Sequence, residues 1–182
     1  MNLKEISGHK FNAPPAGEIF DILNKNCSQW IKLTKWTPVY RGSKMINPYD
    51  DFIKIKTRPE KQDPDVPPII QQQFDQQMRT AGHQAVLSNS VHLTGDLSEA
   101  KTYGRPFVIF PVGNIHFSWS PVVKSLMGSL FRDGKKIARL SDLIPTYKHS
   151  ELRAAIQSNN EILVQCFEYY KVDLELWHTI SK

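Results

Sequence analysis

One continuous apolar run, at residues 107–112 (Phe-Val-Ile-Phe-Pro-Val), constrains the fold more than any other feature of the sequence. Because its residues do not alternate with polar ones, it predicts a strand that is buried on both faces. A chain of 182 residues, 40% of them hydrophobic, is large enough to cover such a strand within one domain. This composition excludes the disordered, collagen-like and coiled-coil classes.

The rest of the chain mixes helical and strand patterns without regular alternation. Helices are predicted at 14–34, 70–82, 97–103, 121–131 and 149–157, where apolar residues recur three and four apart or caps are present. Further strands are predicted at 36–41, 85–93, 116–119 and 161–166. Residues 43–68 contain five prolines and are predicted to form a long loop. We therefore expect a single α+β domain.

Charge and apolar content bear on partners and location. Lys and Arg number 23 against 18 Asp and Glu, a net +5 that is compatible with a phosphate-rich partner but does not require one. No apolar run is long enough to span a bilayer or to serve as a signal peptide. Cys27 and Cys166 form no CxxC pair, and two free thiols in a reducing compartment are expected. We predict a soluble, cytoplasmic monomer with no membrane partner.

Several chemistries lack their motifs in this sequence. The six histidines are scattered, and none forms an HExxH motif or a Cys/His cluster, so no metal is predicted. The sequence contains no P-loop, no Rossmann glycine motif and no GxSxG nucleophile elbow.

Three short segments, in this order, remain as candidates for a site. In the first, residues 39–43 (Val-Tyr-Arg-Gly-Ser), an arginine ends a strand before a glycine. In the second, residues 87–91 (Leu-Ser-Asn-Ser-Val), two hydroxyls two apart on a strand would share one face. In the third, residues 158–164 (Ser-Asn-Asn-Glu-Ile-Leu-Val), a carboxylate stands where a turn enters an apolar strand. Each pattern taken alone is more often surface structure than a site.

Taken together, the three segments resemble the mono-ADP-ribosyltransferase family of the arginine–serine–glutamate type. The likeness extends over residues 36–172 and includes the stretch 87–112, and the segments 110–114 and 119–121 resemble phage-encoded members. It implies two short packed β-sheets with peripheral helices in one domain over residues 1–182. In that domain, 1–35 is an N-terminal helical part and 36–172 is the core that bears the motifs. It also implies NAD⁺ as co-substrate and action in the cytoplasm, that of the host for a phage protein.

The resemblance assigns the catalytic residues as follows. Glu161 stabilises the positive charge that develops on the ribose, and Ser88 orients Glu161 or contacts the ribose. Asn159 meets the incoming acceptor, although the family usually has Glu or Gln there, and this departure leaves a protein or nucleic-acid acceptor open. The family's Ser-Thr-Ser is Ser-Asn-Ser here, with Asn89 in the middle.

The same resemblance implies the cofactor-binding residues. Arg41 grips the diphosphate, Gly42 lets its backbone approach the nicotinamide, Ser90 shares the role of Ser88, and Tyr103 lies near the nicotinamide. Two alternatives remain open. One is an NAD⁺ hydrolase with the same residues. The other is a non-catalytic nucleic-acid or protein-binding protein, favoured by Trp30 and Trp36 beside lysines and by the basic run 132–139.

Overall fold

The computed structural model describes residues 12–44 and 51–182. Its α-helices are α1 (Ala16–Asn26), α2 (Ser28–Thr34), α3 (Pro68–Thr80), α4 (Leu97–Thr102), α5 (Leu126–Leu130), α6 (Leu140–Leu143), α7 (Leu152–Ser158) and α8 (Leu174–Ile180). Its strands are β1 (Tyr40–Ser43), β2 (Phe52–Lys56), β3 (Ser90–Leu93), β4 (Arg105–Pro111), β5 (His116–Trp119), β6 (Phe131–Arg132), β7 (Lys135–Lys136), β8 (Ile162–Gln165) and β9 (Glu168–Asp173). Short 3₁₀ helices lie at Leu87–Asn89 and Ile144–Thr146.

The apolar run at 107–112 lies at the centre of the fold, as predicted. It forms β4, whose residues 107–111 are all buried, inside an antiparallel sheet of order β1-β4-β9-β2. The helices α1, α2 and α8 contribute Leu23, Trp30 and Trp177 to the core that includes this strand. Burial of these large side chains is the main stabilising contribution to the fold.

A second antiparallel sheet, of order β3-β8-β5, is joined to the first at one point. The backbone N–H of Tyr40 donates to the carbonyl of Thr94 at 2.8 Å, and the N–H of Thr94 donates back at 3.0 Å. Tyr40 begins β1, and Thr94 directly follows β3. This pair of hydrogen bonds therefore places the start of β1 beside the end of β3, and we call this place the sheet junction.

The prediction of an α+β fold is confirmed, with antiparallel sheets throughout. The described residues form sheets of four, three and two strands, the last being the small hairpin of β6 and β7. The helices predicted around Phe74 and Ala100 are also confirmed as α3 and α4. No helix in the described part of the chain combines the length and apolarity needed to cross a membrane.

The strand predicted at 36–41 is wrong in its position. Lys35 and Trp36 have φ values of 51° and 64°, in the left-handed region, so no strand can begin there. The strand instead covers Tyr40–Ser43, and Gly42 lies inside it rather than at a turn after it.

Three other predicted elements are corrected. Residues 43–68 are not all loop, because β2 pairs with β9 there; residues 45–50 lie outside the described part. The strand predicted at 85–93 is reduced to β3, since the Asp75 carboxylate accepts the N–H groups of Leu87 and Ser88 and holds them in a 3₁₀ turn. The helix predicted at 121–131 begins only at Leu126, after its N-cap Ser125.

Candidate active site

A cavity of about 540 Å³ opens at the sheet junction. Its volume is within the range of ordinary ligand pockets. Five of the seven predicted site residues line it: Arg41, Gly42, Tyr103, Asn159 and Glu161. We call it the central cavity.

The strand register explains why Arg41 and Glu161 line the same cavity. Arg41 follows Tyr40, which is bonded to Thr94 at the sheet junction. Leu93, the residue before Thr94, pairs with Ile162 of β8. Glu161 directly precedes Ile162, so an arginine and a glutamate 120 positions apart in the sequence reach one place through two backbone pairings, Tyr40 with Thr94 and Leu93 with Ile162.

Glu161 is fixed at both its backbone and its side chain. Its N–H donates to the carbonyl of Lys124 at 3.1 Å. Its carboxylate Oε1 lies 2.8 Å from Nδ1 of His92, and both side chains are about one-fifth exposed (23% and 19%). A carboxylate held in this way keeps one orientation towards the cavity while remaining accessible to a ligand.

His92 is a functional candidate that the sequence interpretation missed. Its Nδ1 faces Glu161, and its Nε2 lies 3.4 Å from Oδ2 of Asp63. That Nε2 is buried and has no hydrogen-bond partner among the described residues. The signal was in the register: His92 pairs with Leu163, two residues past Glu161, so the two side chains are diagonal neighbours on one face.

Ser88 and Ser90 do not line the central cavity. Ser88 belongs to the 3₁₀ turn, and its hydroxyl accepts a hydrogen bond from Nη2 of Arg79 at 3.2 Å. The hydroxyl of Ser90 is buried and donates to Oδ1 of Asn89 at 3.2 Å. The two hydroxyls therefore do not share the face of one strand, and His92 makes the contact to Glu161 that was expected of Ser88.

Arg41 lies in the second position of β1, partly buried. Within residues 12–44 and 51–182 its guanidinium makes no hydrogen bond or ion pair, and Arg41 lines the central cavity. Its charge is felt by the ammonium of Lys61, which lines the same cavity and lies in the segment predicted to be a loop.

Gly42 of β1 packs against the end of helix α4, where Ala100 and Tyr103 lie. A Cβ on Gly42 would lie 2.0 Å from the carbonyl oxygen of Ala100 and 2.8 Å from Cβ of Tyr103. Glycine is therefore required here because α4 packs against β1, whether or not a ligand also approaches. The Tyr103 side chain is 46% exposed, and the pKa of its hydroxyl is raised by partial burial and then by carboxylates that include Glu99 and Glu161.

Asn159 stands at the end of helix α7, exposed to solvent. Its φ of 59° is in the left-handed region that asparagine tolerates, and this conformation turns the chain from α7 into β8. Its backbone carbonyl accepts a hydrogen bond from the Thr94 hydroxyl at 3.3 Å. Asn159 therefore has a structural reason for its position as well as a place on the cavity wall.

Both cysteines are buried free thiols, as predicted. Burial raises the pKa of each thiol to about 12, so neither is a thiolate at neutral pH. Among the described residues, no three His, Cys, Asp or Glu side chains form a group able to hold a metal ion.

The aromatic residues cited for nucleic-acid binding belong to the core. Trp30 is 1% exposed, and Trp36 stacks on Trp177 with ring centroids 6.1 Å apart. The Trp30 ring is therefore not accessible to a base, and the Trp36 ring is partly buried against the core. The first part of the basic run 132–139 belongs to the exposed β6–β7 hairpin. Arg139, at the end of the run, is paired with Asp142.

Comparison of the chain with protein-family models, with curated proteins and with solved structures gives no match in any of the three.

Proposed function

We propose that this chain is a mono-ADP-ribosyltransferase that moves ADP-ribose from NAD⁺ to a macromolecular acceptor and releases nicotinamide. The observation that carries the proposal is that Arg41 of the first sequence segment and Glu161 of the third line one cavity at the sheet junction. The cavity supplies a cation that has no partner among residues 12–44 and 51–182, and a carboxylate held in one orientation, the two charges that this reaction requires. The antiparallel sheets of four and three strands support a proposal that requires two short β-sheets in one α+β domain.

In this proposal Glu161 acts on the ribose. The bond between C1′ of that ribose and the nicotinamide nitrogen breaks, and its electron pair leaves with nicotinamide. Positive charge spreads over the ribose in the transition state, as in glycoside cleavage. The carboxylate of Glu161 stabilises that charge, and His92 holds the carboxylate in place. A lone pair of the acceptor then bonds to C1′, and the acceptor loses a proton to solvent.

The remaining residues bind NAD⁺ or form the wall of the central cavity. Arg41 takes the diphosphate, since its planar fork can donate to two phosphate oxygens. Tyr103 and Gly42 form the wall next to it, and Asn159 at the rim is the candidate contact for the acceptor. Action in the cytoplasm belongs to the proposal, and the two free thiols support a reducing compartment.

The test is the release of nicotinamide from labelled NAD⁺ by the wild-type protein and by Glu161→Gln. This substitution removes the charge and preserves the shape, so we expect release to fall by about 100-fold or more. The matched control is Glu175→Gln, at an exposed position in the first turn of α8 and outside the cavity lining, which should leave release unchanged. Equal rates for the wild type and Glu161→Gln would refute the proposal.

Labelled NAD⁺ with a bacterial lysate then identifies the product. Label that protease removes indicates a protein acceptor, and label that nuclease removes indicates a nucleic acid. Release of nicotinamide with no labelled macromolecule would replace the transferase by an NAD⁺ hydrolase that uses the same cavity. No release, with salt-dependent binding of DNA or RNA, would favour the non-catalytic alternative.

A further inference from the structure

Lys61 is held in the wall of the central cavity by its backbone. Its N–H donates to the carbonyl of Ser88 at 2.9 Å, and its carbonyl accepts from Nε2 of Gln71 at 2.7 Å. Gln71 is only 6% exposed, and its Oε1 also accepts the N–H of Asp63 at 2.7 Å. The segment around Lys61 has no regular secondary structure, and these hydrogen bonds hold its backbone in place. They therefore fix the position of the Lys61 Cα, from which the side chain extends.

The Lys61 ammonium is in an unusual setting for a lysine. It makes no hydrogen bond or ion pair with any residue in the described ranges, 12–44 and 51–182, and its strongest charged influence is the cation of Arg41. Two like charges brought together at a partly dry wall are unfavourable without an anion between them. The carboxylates of Asp63 and Glu161 moderate this repulsion, but both already face His92.

We propose that Lys61 is a second phosphate-binding cation of the central cavity and that Lys61 and Arg41 together bind the diphosphate group of NAD⁺. This inference rests on the proposed function for the identity of the ligand, since NAD⁺ carries that diphosphate. Arg41 supplies a planar fork and Lys61 a compact point charge, a combination suited to two adjacent phosphates. The anion would pair with both cations at once.

The titration of Lys61 provides a measurable consequence. Burial first, and the Arg41 charge second, lower its pKa to about 8. The carboxylates of Asp63 and Glu161 act in the opposite direction and raise it. A bound diphosphate favours the charged ammonium, so binding should raise this pKa and draw a proton from solvent.

The sign of the pH dependence follows from this. Below about pH 8 the lysine is already protonated, so affinity for a diphosphate is constant. Above about pH 8, part of the binding free energy is used to protonate Lys61, and affinity falls by about tenfold for each further pH unit. Between about pH 7 and about pH 9 we therefore expect affinity to weaken about tenfold, or about 1.4 kcal/mol, with uptake of close to one proton per ligand at the higher pH.

The experiment is calorimetric titration with ADP-ribose in buffers of different ionisation enthalpy. ADP-ribose suits the test because its diphosphate is a diester and does not titrate in this range. Lys61→Arg keeps its charge throughout, so it should bind at both pH values without proton uptake. Lys61→Met should bind at least about tenfold more weakly near pH 7, with no pH dependence left. Lys101→Met, an exposed lysine of α4 outside the cavity lining, should behave as the wild type.

The outcomes separate this inference from the proposed function. ADP-ribose binding by the wild type without proton uptake, or equal binding by Lys61→Met, would refute the role of Lys61 even if nicotinamide release depends on Glu161. Proton-coupled binding that Lys61→Arg makes independent of pH would support the diphosphate site even if no nicotinamide is released. Thermal unfolding of each variant shows whether it is folded. If Lys61→Met does not fold, the comparison of the wild type with Lys61→Arg still tests the inference.

Discussion

The contact between His92 and Glu161 provides the sharpest test of how the central cavity would work. Nδ1 of His92 and Oε1 of Glu161 are 2.8 Å apart, the length of a strong hydrogen bond to a carboxylate. Such bonds contribute about 1.5–3 kcal/mol, and partial exposure of both side chains reduces this to about 1–2 kcal/mol. Because the bond orients the group that is proposed to stabilise the transition state, its loss should lower kcat by about 5- to 30-fold and change KM little.

Three substitutions separate orientation from mere packing. His92→Ala removes the donor. His92→Asn places an amide nitrogen two bonds beyond Cβ, where Nδ1 stands, so it should restore most of kcat. Asp63→Asn leaves the contact between His92 and Glu161 intact and keeps an oxygen that can accept the Asp65 N–H, so it should change kcat by less than His92→Ala does.

The measurement is the steady-state rate of nicotinamide release, with denaturant unfolding to confirm that each variant is folded. An asparagine variant as slow as the alanine variant would show that the imidazole does something other than donate to Glu161. A folded His92→Ala protein with wild-type kcat would refute the orienting role altogether. A change confined to KM would move His92 from the reaction to ligand binding.

Two further predictions concern Arg41 and Gly42. Arg41→Ala should weaken NAD⁺ binding by about 10-fold or more in a titration, and Arg41→Lys by less, because the lysine keeps the charge and loses the fork; equal binding by wild type and both variants would remove Arg41 from the diphosphate site. Gly42→Ala should lower the free energy of unfolding by about 1–3 kcal/mol in denaturant, since its Cβ would lie 2.0 Å from the Ala100 carbonyl oxygen. The control Gly17→Ala, in open space on α1, should raise it by about 0.5–1 kcal/mol. Unchanged stability of Gly42→Ala would refute the packing reason.

The elements predicted correctly from the sequence are those determined by their own residues. β4 needs only a continuous apolar run, and α3 needs only Phe74 and Met78 four apart with Gly82 after them, at a φ of 89°. The helix α4 has its own N-cap, Asp96, whose carboxylate accepts two backbone N–H groups. Local pattern and final structure agree because no distant group competes.

The predictions that failed depend on partners remote in the sequence or on backbone conformation. The strand predicted at 85–93 lost its first half to the carboxylate of Asp75, which binds two N–H groups that a ladder would have used. The strand β2 was hidden in a proline-rich stretch and forms because β9 offers it an edge. Neither competition can be seen in the local pattern of apolar residues.

The candidate site divides in the same way. Arg41 and Glu161 were found because a family resemblance carried them, and the register of β3 with β8 then brought them to one cavity. His92 and Lys61 had no motif. His92 needed the strand pairing to be known, and Lys61 needed the course of a segment that only Ser88 and Gln71 fix.

The net charge of +5 illustrates why composition could not identify this site. Formal charge counts every cation alike, yet the exposed Arg139 is paired with Asp142, while Arg41 and Lys61 lie in a cavity wall without a partner among the described residues. A cation matters to a phosphate ligand when burial has removed its water and no carboxylate has replaced it. By that criterion the charge relevant to the proposed diphosphate site lies in two residues of the cavity wall, Arg41 and Lys61.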